Sequence, residues 1–155
     1  MPGFARSGRP SKPLAVTVSV VLFFIVAWVA FGRLRGLLML GYVDSAISRA
    51  RTVVAAEDQF AKAHPGAGYT CALSELPRVE QIARLANDPT DNGYNFEIIG
   101  CQPPGTKTPN AMYHVTARPL HSGLPAFCSD PSGVLRTDDT GSVERCLANG
   151  RPWGS

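Results

Sequence analysis

Residues 14–31, LAVTVSVVLFFIVAWVAF, run for 18 residues without a charge, a proline or a glycine. A helix of that length rises about 27 Å, close to the hydrocarbon thickness of a bilayer. A stretch this apolar must lie either in lipid or in a large core. The chain has 155 residues, and with about 40 spent on leader and run only one small domain remains. The sequence therefore predicts an anchored protein. Its parts are a basic disordered cytoplasmic leader over 1–13, a transmembrane helix with juxtamembrane continuation over 14–40, and an extracytoplasmic domain over 41–155.

A cleaved signal peptide competes for the same run, because Ala30-Phe31-Gly32 offers a small-x-small site. The run exceeds the usual 7–15-residue signal core, and Leu37, Leu38, Met39 and Leu40 extend it. Retention as an anchor is the better reading.

Charge placement says more than the net +3. All 12 acidic residues follow Val43, where 10 Lys and Arg leave the domain at −2. The other five cations, Arg6, Arg9, Lys12, Arg33 and Arg35, flank the apolar run. Basicity thus belongs to the anchor, and no nucleic-acid partner is expected. The cationic leader favours the cytoplasm by the positive-inside rule, although Arg33 and Arg35 weaken that bias. Cys71, Cys101, Cys128 and Cys146 all lie beyond the anchor and are widely spaced, as disulfides in an oxidising compartment would be. N-terminus in, domain out, is the predicted orientation.

The membrane helix is expected to continue without a break. Over 43–60, Val43, Ile47, Ala50 and Val54, with Val53, Phe60 and Ala61, recur at helical spacing. Asp44, Ser48, Arg51, Asp58 and Lys62 take the other face, and His64-Pro65-Gly66 ends the helix. Residues 74–88 read as a short helix with Pro77 in its first turn and Val79, Ile82, Ala83 and Ala86 on one face. Turn chemistry at Asp88-Pro89 and Asp91-Asn92-Gly93 follows. Three or four antiparallel strands are then expected: 94–98, 112–118, 126–128 and 134–136, the last two joined by a Pro-containing turn. Residues 102–110 form a proline-rich loop, and the terminal GRPWGS is expected to be loose. The fold class is α+β: a long N-terminal helix, half membrane-spanning and half amphipathic, packed on a small antiparallel sheet.

No C-x-x-C occurs, which argues against a thioredoxin-type pair, a paired-cysteine zinc knuckle and c-type haem. A structural disulfide role for all four cysteines is expected. Sequence-adjacent pairing would close loops worth about 3–4 kcal/mol each in the chain-entropy model. The two other connectivities stay open. His64, His114 and His121 have no free thiol or hydroxyl partner evident in the pattern, and His114 is expected to face solvent. Asp130, Asp138 and Asp139 lack calcium-loop spacing and read as turn residues. Gly32 and Gly36 stand four apart, a spacing that permits close helix packing but also suits backbone adjustment at an interface. No catalytic residue, metal ligand or cofactor is predicted, and the chain is not expected to be an enzyme.

The segments ARTVVAAEDQFAKAHPGAGYTCALSEL (50–76), DNGYNFEIIGC (91–101), YHVTARP (113–119) and AFCSDPSGVLRTDDTGSVERC (126–146), behind a hydrophobic N-terminal helix, resemble type IV pilins and pseudopilins. The domain is similar to pilin-like proteins of the acidobacterial type, over about residues 43–147. The family's prepilin motif is a Gly followed by Phe-Thr-Leu-x-Glu running into the apolar core. Here Gly3-Phe4 is followed by Ala5-Arg6-Ser7-Gly8, and no acid precedes Asp44. The resemblance implies a structural or interaction protein of a bacterial inner membrane, a minor or accessory subunit of a type IV pilus or type II secretion-like system. Its partners would be the lipid bilayer and other pilin-like subunits or an assembly platform. The alternative is a stand-alone membrane-anchored surface module for ligand binding or adhesion.

Overall fold

The computed structural model describes residues 12–77, 79–102 and 108–154. The predicted leader lies outside them except for Lys12 and Pro13, which open a helix rather than end a coil. Proline is tolerated there because the first amides of a helix have no intrahelical acceptor. Of the predicted 102–110 loop, residues 103–107 also lie outside the described set. The chain divides into two compact units between Leu38 and Met39.

Helix α1, Lys12–Ala63, is one 52-residue element that runs through the boundary between the units. In the first unit, the described side chains from Thr17 on are exposed.

The second unit is an α+β arrangement in which the later part of α1 packs on a six-stranded antiparallel sheet. The strands are β1 (Thr90–Asp91), β2 (Tyr94–Ile99), β3 (His114–Pro119), β4 (Ala126–Ser129), β5 (Arg136–Asp138) and β6 (Arg151–Pro152), paired in chain order. This meander needs no crossover, and each strand pairs with the next in the chain, although residues 100–113 separate β2 from β3 and a helix separates β5 from β6. Asn92 (φ 44°) and Gly93 (φ 76°) take the two central positions of the β1–β2 turn. Both need positive φ, and Asn-Gly is the pair that adopts it most readily.

Ala46, Ile47, Ala50, Val53 and Ala56 of α1 join Tyr94, Phe96, Ile98, Val115, Ala117, Phe127 and Leu135 in one core. Register explains the selection. Phe96 is opposite Ala117, Ile98 opposite Val115, and Ala117 opposite Phe127, so one face of three strands is apolar. Small residues on α1 let the helix approach the larger side chains of the sheet.

Helix α2 is Glu80–Asn87, shorter than predicted. Pro77 is not in its first turn. The Val79 amide donates to the Pro77 carbonyl (2.8 Å), and Val79 itself is extended at the N-cap. The late start shifts the buried stripe to Ile82 and Leu85, leaving Val79 and Ala86 exposed.

The C-terminal region departs further from expectation. Helix α3, Val143–Asn149, was not predicted. It packs on β4 and β5, across the sheet from α1, and all four residues of β4 are consequently buried. Within the terminal GRPWGS, whose Ser155 lies outside the described residues, residues 151–153 are not loose. Arg151 and Pro152 pair with β5, the Trp153 amide donates to Leu135 O (2.8 Å), and the Trp153 ring meets Phe127 edge-on at 5.3 Å. A large ring and several backbone hydrogen bonds outweigh the turn-like composition of GRPWGS.

Candidate membrane-anchoring surface and disulfide framework

From Thr17 the helix carries a stretch long and apolar enough to cross a membrane. None of its most apolar window is buried by protein. Phe23, Phe24, Val26 and Leu37 are more than half exposed, and Trp28 is 84% exposed. Burial of such side chains is worth roughly 1.5–3 kcal/mol each, so a surface of this extent calls for an apolar surrounding. Gly32 and Gly36 lie on this helix with open space where a Cβ would stand.

Two disulfides hold the second unit. Cys71 pairs with Cys101, and Cys128 with Cys146, each with Cα atoms 5.9 Å apart. Among the three connectivities that counting leaves open, this is the sequence-adjacent one. The first ties the segment after α1 to the end of β2. The second ties β4 to α3, so the helix that sequence inspection missed is the one cross-linked to the sheet. Its signal was present: Ser142 caps the helix by accepting from the Arg145 amide (3.2 Å), Glu144 follows, and Asn149-Gly150 ends it. Glu144 is held well down, to about 2, by hydrogen bonding from its own backbone amide, then by Arg118 and Ser142.

The three histidines occupy separate places. His64 stacks on Phe60 (4.3 Å) at the end of α1, with Nδ1 3.0 Å from Phe60 O. His114 opens β3, half-buried against Gly100, and His121 follows that strand's other end, 6.2 Å from Tyr42. Nothing brings them together on one surface.

The aspartates serve turns. Asp130 accepts from the Ser132 amide (2.9 Å), and this serine lowers its pKa more than any other neighbour. Asp138 accepts from the amides of Thr140 (3.0 Å) and Ser142 (3.3 Å) and from the Thr140 hydroxyl, whose hydrogen bond is the main cause of its lowered pKa. Asp139 pairs with Arg151 at 2.6 Å. Among the described residues no three His, Cys, Asp or Glu side chains group as metal ligands would.

A groove of about 240 Å³ between α1 and the β4–β5 hairpin is lined by Arg51, Val54, Ala55, Asp58, Ser129, Gly133 and Leu135. The Ser129 hydroxyl lies 3.2 Å from Val134 O and 3.4 Å from Asp130 O, committed to backbone rather than to a base. The geometry therefore offers an apolar helix for lipid and a cross-linked small domain. No family model matches the chain, and neither does any curated protein or solved structure.

Proposed function

We propose that this protein is a single-pass, membrane-anchored structural or interaction protein of the pilin-like kind. The observation that carries the reading is the exposed apolar stretch of α1 joined to a disulfide-bonded α+β unit. The stretch sits in a bacterial inner membrane with the basic leader in the cytoplasm, and the disulfides support a periplasmic or extracellular position for the other unit. There the protein serves as a minor or accessory subunit of a type IV pilus or type II secretion-like assembly. A long helix whose later part packs on an antiparallel meander supports this reading, together with the sequence segments that resemble pilins.

One sequence feature favours a second reading, a stand-alone anchored surface module. The segment before the apolar run has no acid, whereas prepilins carry a Glu there that is used in filament docking.

The deciding experiment is the intact mass and N-terminal residue of the mature protein, purified from membranes without reductant. A chain starting at methylated Phe4 supports the filament subunit. A chain starting at Met1 or Pro2 supports the permanent anchor. Recovery of the protein in the soluble fraction, with the run removed after Gly32, would overturn both.

A further inference from the structure

Glu57 is the one acidic residue buried within the face that α1 turns to the core. Its relative exposure is 0%. Its Oε2 accepts from the Thr70 amide at 3.0 Å, while Oε1 has no hydrogen-bond partner among the described residues. A buried carboxylate left half-unsatisfied is costly, and protonation is the cheapest relief. The segment that Glu57 holds is polar at its start and apolar at its end. Thr70 Oγ1 donates to Glu75 (2.6 Å) and accepts from the Ala72 amide (3.1 Å), Cys71 is cross-linked to Cys101, and Leu76 is buried in the core.

The surroundings of Glu57 add no favourable charge. Asp58 on its own helix and Glu75 on the facing segment are the charged groups acting on it, and both are acids. Just before β3 stands Tyr113, fully buried, its hydroxyl without a hydrogen-bond partner among the described residues and its ring 4.6 Å from Tyr69. Burial pushes that phenol up as well, with Asp58, Glu57, Tyr69 and Asp130 adding to the effect, so it stays neutral.

We infer that Glu57 is a protonation-controlled latch, whose neutral carboxyl fastens residues 70–76 to α1 and whose ionisation loosens them. This needs no part of the anchoring reading and would hold for the domain in any compartment. Burial raises the Glu57 carboxyl from 4.5 to about 7, against the opposing hydrogen bond from Thr70, and Asp58 and Glu75 push the same way as burial. The folded form therefore binds this proton more tightly than the unfolded chain does. Its contribution is complete below about 4.5 and is lost as the pH rises through about 7. Loosening is bounded around Thr70, by the Cys71–Cys101 link after it and by Asn110, which clamps the chain before it through Tyr69 N (2.9 Å) and Tyr69 O (3.0 Å).

The test uses the full chain in detergent micelles. Carboxyl-carbon NMR follows Glu57 from pH 5 to 9, and amide exchange, corrected for intrinsic rate, follows Thr70. A Glu57 midpoint near 7 and a loss of Thr70 protection of about tenfold between pH 6 and 8 are expected. In Glu57→Gln, which keeps an acceptor for the Thr70 amide, protection should persist at both pH values. A midpoint in the ordinary carboxylate range overturns the latch, as does protection that falls equally in wild type and Glu57→Gln. Should Glu57→Gln fail to fold, Glu75→Gln decides, since removing a neighbouring acid must lower the Glu57 midpoint. An unmoved midpoint counts against the proposal.

Discussion

The two parts of α1 share a backbone conformation and differ in nearly everything else. Before the unit boundary, large apolar side chains such as Phe24 and Trp28 stand exposed around the helix. After it, Ala46, Ala50, Val53 and Ala56 are buried on one face while Asp44, Ser48 and Arg51 remain exposed on the other. The first pattern suits a surrounding that is apolar on every side, and the second suits a protein core on one side and water on the other. Helix formation alone therefore says little about the role of a segment. Side-chain distribution decides it.

The strongest way to break this comparison is to truncate one aromatic in each part of the molecule. Phe127→Ala removes a fully buried ring that meets Tyr94 and Trp153, and should cost about 3–5 kcal/mol in chemical denaturation of the domain. Phe24→Ala in the exposed stretch should leave the same transition within about 0.5 kcal/mol. Equal losses would mean that the two parts do not differ as described.

Removing Cys128–Cys146 by a double serine substitution comes next. The pair closes an 18-residue separation, for which the chain-entropy model gives about 3 kcal/mol. Cys71–Cys101, with a separation of 30, should cost slightly more on that model. α3 should also lose amide protection when its link goes, and protection left intact would show that packing alone holds it.

An Arg introduced at Val26 sharpens the lipid side of the comparison. It should weaken membrane insertion by about 2.5–3.5 kcal/mol, read as a higher soluble fraction, with the domain's denaturation midpoint unchanged. A substitution without effect on partitioning would remove the case for a span.

The smallest expected effect lies in the polar clamp between α1 and the β1–β2 turn. Arg49 and Asp91 pair at 2.6 Å, both mostly shielded from solvent, and Asn92 Nδ2 donates to Ser45 Oγ at 2.8 Å. Arg49→Ala should cost about 1–2 kcal/mol, the range for hydrogen bonds to charged partners. High salt should reproduce little of that loss, because shielded pairs are screened weakly.

Much of this was legible in residue patterns. Helical spacing over 43–60 identified the α1 face that packs, and period-two alternation placed Tyr94, Phe96 and Ile98 inward. Alternation failed at β4, where Ala126, Phe127, Cys128 and Ser129 are all buried, because α3 covers the face that would otherwise meet water. α3 itself is seven residues long, too short for periodicity to declare it, and its capping serine lay in a run that also reads as a turn. Glu57 was missed for a related reason. A carboxylate at helical spacing looks like surface until a facing segment is known to close over it.

The sequence alone determined the properties that are local or compositional. These are the length and apolarity of the run that begins α1, the placement of every acid beyond Val43, the Asn-Gly turn, and the presence of an even set of cysteines. Each follows from side-chain chemistry within a few residues. Tertiary structure decided what depends on residues distant in the chain. It selected one cysteine connectivity of three, brought Arg151 and Pro152 onto β5, covered both faces of β4, and enclosed Glu57 beneath Thr70. Those outcomes depend on the register of the strands and on which surfaces are sealed from water.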